Sequence, residues 1–237
     1  DVEGFDAASK ATILASLAFH TTVPVEQVHR EGILGVTADV VQQAEREGRV
    51  VKLLAICERI DGPEGERIAA RVHPALIPDD HPLAAVHEAK NAIFVTAEAA
   101  GDLTFYGAGA GGPETASAVL GDLVSIARRH VIGGPGVAVS SHANLPIAPF
   151  GDVPTRYQLR LAVADRPGVL AAIATILGRH DVSIASIEQH VADGPTASLV
   201  LGTHAAPEGR LQRVVDALRT HEDVASIDHV IRIEAQA

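Results

Sequence analysis

The stretch YQLRLAVADRPGVLAAIATILGRH, residues 157–180, reads as a strand turning directly into a helix. Residues 157–164 alternate apolar and polar, the period of a half-buried strand. Asp165, Arg166, Pro167 and Gly168 break that alternation, and Leu170, Ile173, Ala174 and Leu177 then mark the inner face of a helix over 167–179. Downstream, 182–191 and 197–204 read as strands separated by the turn Asp193-Gly194-Pro195, 208–220 as a helix and 224–233 as a last strand. The order βαββαβ folds as a four-stranded antiparallel sheet with both helices on one face.

Upstream of this unit, residues 131–154 hold Gly133-Gly134-Pro135-Gly136, Ser140-Ser141, Pro146, Pro149 and Pro154. They read as a linker and a domain boundary, with Val137, Ala138, Val139 and Ile147 packing it along a surface. The chain thus divides into 1–130, a linker over 131–154, and 155–237. In the first part, residues 6–20 carry Ile13, Leu14, Leu17 and Ala18 at helical spacing, with Asp6 near the favourable end for a carboxylate. A helix is expected near 25–31, and another over 38–47 with Thr37 as cap and Gly48 as stop. Residues 50–60 and 67–77 are β-rich runs joined by the turn cluster 61–65. Two more strands are expected at 91–97 and 103–106, with Gly101 and Asp102 between them, completing a mixed sheet covered by the N-terminal helices. Residues 107–112 are too glycine-rich to hold regular structure easily. Pro113 then opens a helix to about 130 with Val119, Leu120, Leu123, Val124 and Ala127 on one face.

Composition narrows the function classes. The 237 residues are 47% hydrophobic and 21% charged, which supports a packed core and excludes a disordered chain. No apolar run reaches the roughly 18 residues of a bilayer span, so no integral membrane protein is expected. The net charge of −11 argues against nonspecific nucleic-acid binding. Cys57 is the single cysteine, which excludes an intrachain disulfide and fits a reducing compartment. Methionine is absent and no signal-peptide pattern is present, so the chain is expected to be a piece of a longer cytoplasmic protein. No two of the 12 histidines fall at i,i+2 or i,i+4, and no metal site is expected. Ser117 has no nearby base, and serine-hydrolase chemistry is unsupported.

Two segments carry chemistry. Asp6 and Lys10 are four apart and share a helix face. As a surface ion pair they contribute a few tenths of a kcal/mol. Facing a cleft, the same lysine donates a proton to a carbonyl oxygen while carboxylates hold an ammonium or hydroxyl. The second segment is Gly107-Ala108-Gly109-Ala110-Gly111-Gly112 ahead of Pro113, Glu114 and Thr115. Strand, glycine loop and helix start together make an anion-binding geometry, although neither the dinucleotide fingerprint nor the P-loop is matched. A tight turn with close backbone packing is an equal reading of the spacing alone.

Gly4-Phe5-Asp6-Ala7-Ala8-Ser9-Lys10, His81-Pro82-Leu83-Ala84, Asn91-Ala92-Ile93 and the glycine run with Thr115-Ala116-Ser117-Ala118 resemble homoserine dehydrogenase over almost the whole chain. Asp165-Arg166-Pro167-Gly168-Val169-Leu170 and the βαββαβ order resemble an ACT domain. The resemblance implies an α+β fold: a mixed sheet covered by helices, then a ferredoxin-like ACT unit. It implies reversible NAD(P)-dependent reduction of aspartate semialdehyde to homoserine, in threonine and methionine biosynthesis. By that resemblance Lys10 is the catalytic proton donor or acceptor, Asp6 and Asp1 bind substrate, and Gly111, Gly109 and Thr115 face the nicotinamide nucleotide. Lys10 and the glycine loop are then expected to converge on one cavity. Asp165, Pro167, Gly168 and Val169 are the implied seat of an amino-acid effector, threonine, bound between paired ACT domains; alternatively Gly168 only eases strand–helix packing and the unit only dimerises. A homo-oligomer is implied. The family's nucleotide-binding half, a second lysine and a monovalent-cation site would precede Asp1, and without that half the chain is expected to be inactive. Glu114 departs from the proline of many relatives.

Overall fold

A computed structural model of the chain describes residues 2–133, 140–191 and 196–234. Asp1, residues 134–139 of the linker and the turn residues Asp193, Gly194 and Pro195 lie outside them. The chain falls into two compact units, Asp1–Ile77 with Ser140–Ala237, and Pro78–Val139.

In the larger unit the elements run α1 (Phe5–Phe19), β1 (His29–Arg30), α2 (Ala38–Arg46), β2 (Arg49–Gly62) and β3 (Gly65–Pro78). The smaller unit holds β4 (Lys90–Ala97), β5 (Gly101–Ala108) and α3 (Gly112–Ile132). The larger unit resumes with β6 (Pro154–Thr155), β7 (Tyr157–Ala164), α4 (Val169–Arg179), β8 (Ile184–Val191), β9 (Thr196–Thr203), β10 (Ala206–Pro207), α5 (Glu208–Arg219) and β11 (Val224–Ile233).

The architecture is α+β, with a mixed sheet of order β1-β3-β11-β7-β9-β8 and β2 on β3. Its C-terminal part is the expected βαββαβ unit: β11, β7, β9 and β8 pair antiparallel. Leu159, Leu161, Leu199 and Leu201 of that sheet bury against Ile173 and Leu177 of α4 and Leu211, Val214 and Leu218 of α5. Burying each such side chain contributes about 1.5–3 kcal/mol, so this layer anchors the unit.

β3 is the spine of the larger unit. Residues 68–77 are buried throughout, as expected of a strand covered on both faces. Three segments line up parallel to it in succession: Ile147 opposite Ile68, β1 opposite Arg71 and Val72, and the end of β11 opposite Ala75 and Leu76. One sheet therefore runs unbroken from the N-terminal elements into the βαββαβ unit. Residues 146–148 of the 131–154 segment are packed in place on β3, through the Ile68 N–H to Pro146 and the Ala148 N–H to Ile68 (2.9 and 2.8 Å). Two polar side chains buried in β3 lie against carboxylates: the Arg71 guanidinium pairs with Glu58 and Glu234, and the His73 ring lies 3.4 Å from Glu234.

Several expectations are corrected. The helix near 25–31 is a single 3-10 turn (Val25–Gln27) followed by β1, because backbone pairing with β3 outweighs local propensity. In α1 the buried residues are Ala8, Ala11 and Ala15, whose small side chains let the helix lie close on the sheet, while Ile13 and Leu17 stay exposed. In α4 the inner face is Val169, Ile173, Ile176 and Leu177, an i, i+4, i+7, i+8 stripe turned onto the sheet, which leaves Leu170 and Ala174 pointing outward. Gly101 and Asp102 belong to β5, not to a turn, since all eight residues of β4 pair in register with β5 (Lys90 to Ala108, Ala97 to Gly101). That pairing also takes Gly107 and Ala108 out of the glycine loop. β4 and β5 form a two-stranded sheet of their own and do not extend the mixed sheet. Thr37 caps α2 as expected, its hydroxyl accepting from the Val40 N–H at 3.4 Å.

Candidate functional site

The opening of α1 is built on glycine. Gly4 precedes the helix with φ +79°, a conformation that favours glycine. Gly32 is packed so closely that a Cβ would meet the Val2 carbonyl and fall 2.6 Å from Glu3 Cα. Around these glycines residues 30–33 form a bracket for residues 2–5. The Ile33 N–H donates to the Val2 carbonyl (2.8 Å), the Glu31 N–H donates to Val72 of β3 (2.8 Å), and the Arg30 guanidinium donates to the Glu3 carbonyl. Arg30 also lies 3.5 Å over the Phe5 ring. The bracket was not legible in the sequence, because it depends on pairing between segments far apart.

On this seat Asp6 and Lys10 form an ion pair, Nζ to Oδ2 at 2.8 Å, both side chains 55% exposed. The Lys10 hydrogen bond and charge hold the Asp6 carboxyl below the usual carboxylate range. The pair is a charged donor and an acceptor one helical turn apart, open on one side. Asp1, the third expected member, lies outside the described residues.

The glycine loop belongs to the smaller unit. It is shorter than the sequence suggests, Gly109 to Gly111, with α3 starting at Gly112 and Pro113 in its first turn. The Gly109 N–H donates to Ala89 (2.8 Å), and a Cβ at Gly109 would strike the Asn91 amide. Gly111 has φ +148° and caps the helix without a side-chain bond. The Glu114 carboxylate folds back against Gly111, on the open side of the helix start. Thr115 is exposed in the first turn. The Glu114 carboxylate beside Gly111 is the far end of a flexible side chain, able to swing aside or to accept from a hydroxyl. The Val119, Leu120, Leu123 and Val124 face of α3 is exposed.

The expected effector residues sit at the start of α4. Gly168 caps that helix with φ +94°, and a cavity of about 210 Å³ opens beside it. Pro167, Gly168 and Val169 line it, with Val163, Ala164, Leu170 and Leu199. Asp165 is exposed and is not among the lining residues. Sequence reasoning missed Arg166 and Gln189, which supply the polar lining. Arg166 neighbours the Pro-Gly pair and was in view; Gln189 comes from β8, and only the fold brings it here. Arg166 pairs with the buried Asp223 at 2.6 Å.

A second missed cluster lies where the two parts of the mixed sheet meet. Arg232 of β11 bridges Glu31 and Glu208, each at 2.6 Å. Glu208, the first residue of α5, also accepts from the Thr155 hydroxyl and the Tyr157 phenol, both at 2.6 Å. Burial opposes ionisation of Glu208, but Arg232 and these hydroxyls outweigh it and hold the carboxyl below its usual range. Burial, with the nearby Glu208 charge, keeps the Tyr157 phenol protonated well beyond its ordinary range, as a fixed donor. His29 stacks on Phe150 at 3.6 Å, and burial followed by the Arg232 charge lowers its pKa to about 4.

The fold defines a class: an α+β protein whose N-terminal strands and C-terminal βαββαβ unit share one mixed sheet. A family model described as homoserine dehydrogenase matches residues 1–124, and one described as ACT domain matches residues 157–223. The homoserine dehydrogenase of Corynebacterium glutamicum is 52% identical over 235 residues, covering 99% of this chain and 53% of that protein. That of Mycobacterium tuberculosis is 51% identical over 240 residues, 99% of this chain and 54% of that protein. The crystal structure of a homoserine dehydrogenase from Thiobacillus denitrificans superimposes with a TM-score of 0.89 at 38% identity, over 99% of this chain and 54% of that one. This chain belongs to the homoserine dehydrogenase family and carries an ACT domain. It spans about half the length of the curated relatives it matches.

Proposed function

We propose that this chain is the substrate-binding and regulatory part of an NAD(P)-dependent homoserine dehydrogenase. The reaction is the reversible reduction of aspartate semialdehyde to homoserine, serving threonine and methionine biosynthesis. Residues 1–130 act as the catalytic and dimerisation region, 131–154 as linker and 155–237 as the ACT regulatory domain, in a cytoplasmic homo-oligomer. Among the described residues no helix is long and apolar enough to cross a membrane.

The observation that carries the reading is the Asp6–Lys10 pair at 2.8 Å on a helix opening held by its own bracket. A bound nicotinamide cofactor supplies the hydride that reduces the aldehyde carbon. Lys10, as an ammonium, gives a proton to the carbonyl oxygen as that oxygen gains charge, and in reverse takes it back from the homoserine hydroxyl. Asp6 orients Lys10 and accepts from the substrate's ammonium or hydroxyl. Gly109, Gly111 and Thr115 approach the nicotinamide nucleotide. In the effector cavity, free N–H groups at the start of α4 take an amino-acid carboxylate and the apolar wall takes a small side chain, which suits threonine.

Joined to a nucleotide-binding half from a family member, the chain is expected to oxidise NADPH only when aspartate semialdehyde is present; no such oxidation in a folded fusion overturns the assignment. A second reading concerns the isolated chain, and the cavity of about 210 Å³ beside Gly168 favours it: an inactive amino-acid-binding and dimerising module. Calorimetric heat with threonine and none with NADPH supports it, and NADPH-dependent reduction by the chain alone contradicts it.

A further inference from the structure

Two ion pairs sit at the two ends of one strand. At the start of β11, buried Asp223 binds Arg166 of the effector loop at 2.6 Å, and its carbonyl accepts from the Ala164 N–H at 2.9 Å. At the far end, Arg232 binds Glu31 at 2.6 Å. Glu31 belongs to the bracket that seats residues 2–5, and with them Asp6 and Lys10. Its backbone is already fixed by Val72, and its side chain is 48% exposed, so the pair is not needed to close a core. Arg232 itself is held from behind by Glu208, which Thr155 and Tyr157 hold in turn. A guanidinium fixed on that side passes a shift of β11 on to Glu31, where a free one would absorb it.

We propose that the Glu31–Arg232 pair is a positioning device that couples the effector cavity, through β11, to the helix opening bearing Asp6 and Lys10. Neither residue touches substrate; both act through the bracket. The proposal rests on the amino-acid reading of the cavity given above. Coupling of this kind is reciprocal, and an effector that steadies the bracket slows the opening of α1.

Hydrogen exchange of the chain, with and without excess threonine, tests it in the wild type and in Glu31→Gln. In the wild type, threonine is expected to slow exchange at residues 166–172 directly and at residues 2–10 by about 5-fold or more. In Glu31→Gln the first effect persists and the second is lost, while exchange in β7 and β9 stays unchanged and shows that the fold stands. Protection at 166–172 with no response at 2–10 in the wild type overturns the coupling and leaves the effector site standing. A response at 2–10 that persists in Glu31→Gln overturns Glu31 as its carrier. No protection at 166–172 overturns the effector reading and the coupling together.

Discussion

Single side chains decide much of this structure where the sequence is mute. His29 is a plain residue in the sequence; packed on Phe150 and facing Arg232 it has a pKa of about 4. Because that value lies below the ordinary 6.5, the group contributes stability that is complete above about pH 6.5 and is lost as pH falls toward 4. Chemical denaturation across that window is expected to show the decline in the wild type and a flatter profile in His29→Phe. Gly32→Ala is a second local test: its Cβ would press on the backbone of residues 2 and 3, costing about 1–3 kcal/mol in a thermal melt. Neither effect was legible in advance, because both depend on pairings that bring residues 2–5, 29–33 and 150 together. The Asp6–Lys10 pair, by contrast, is four residues apart on one helix and could be read directly.

Among the secondary elements, periodicity identified the strands and helices of the C-terminal unit well. It misjudged the buried faces of α1 and α4. α1 turns its alanines inward, and the apolar count of Ile13 and Leu17 misleads because close packing on a sheet favours small residues. In α4, Ile173 and Leu177 are inside as expected, but Val169 and Ile176 complete the stripe in place of Leu170 and Ala174. The joint between β11, α5 and the bracket is held by the Arg232–Glu208 pair, buried and fully hydrogen-bonded. Glu208→Ala leaves a buried guanidinium short of a partner and is expected to cost about 3–5 kcal/mol by urea denaturation. A loss under 1 kcal/mol would mean that solvent reaches this joint. The conservative Thr37→Ala removes only the α2 cap and is expected to cost about 1 kcal/mol.

Taken as one chain, the protein joins the N-terminal strands and the βαββαβ unit in one sheet, with β3 between them. The class of the C-terminal unit could be read from its order of elements. Its merger with the N-terminal strands could not: Arg232 and Glu31 are 201 residues apart, and nothing in local pattern marks them as partners. The homoserine dehydrogenase account stands on Lys10 as the proton carrier. It is most directly examined by steady-state turnover of Lys10→Ala, in this chain joined to a nucleotide-binding half, with aspartate semialdehyde and NADPH. The account expects kcat to fall by about 10²- to 10⁴-fold with an unchanged melting temperature, since the side chain is exposed and its pair with Asp6 lies at the surface. Turnover within a few-fold of the wild type would remove Lys10 from the chemistry and contradict the account.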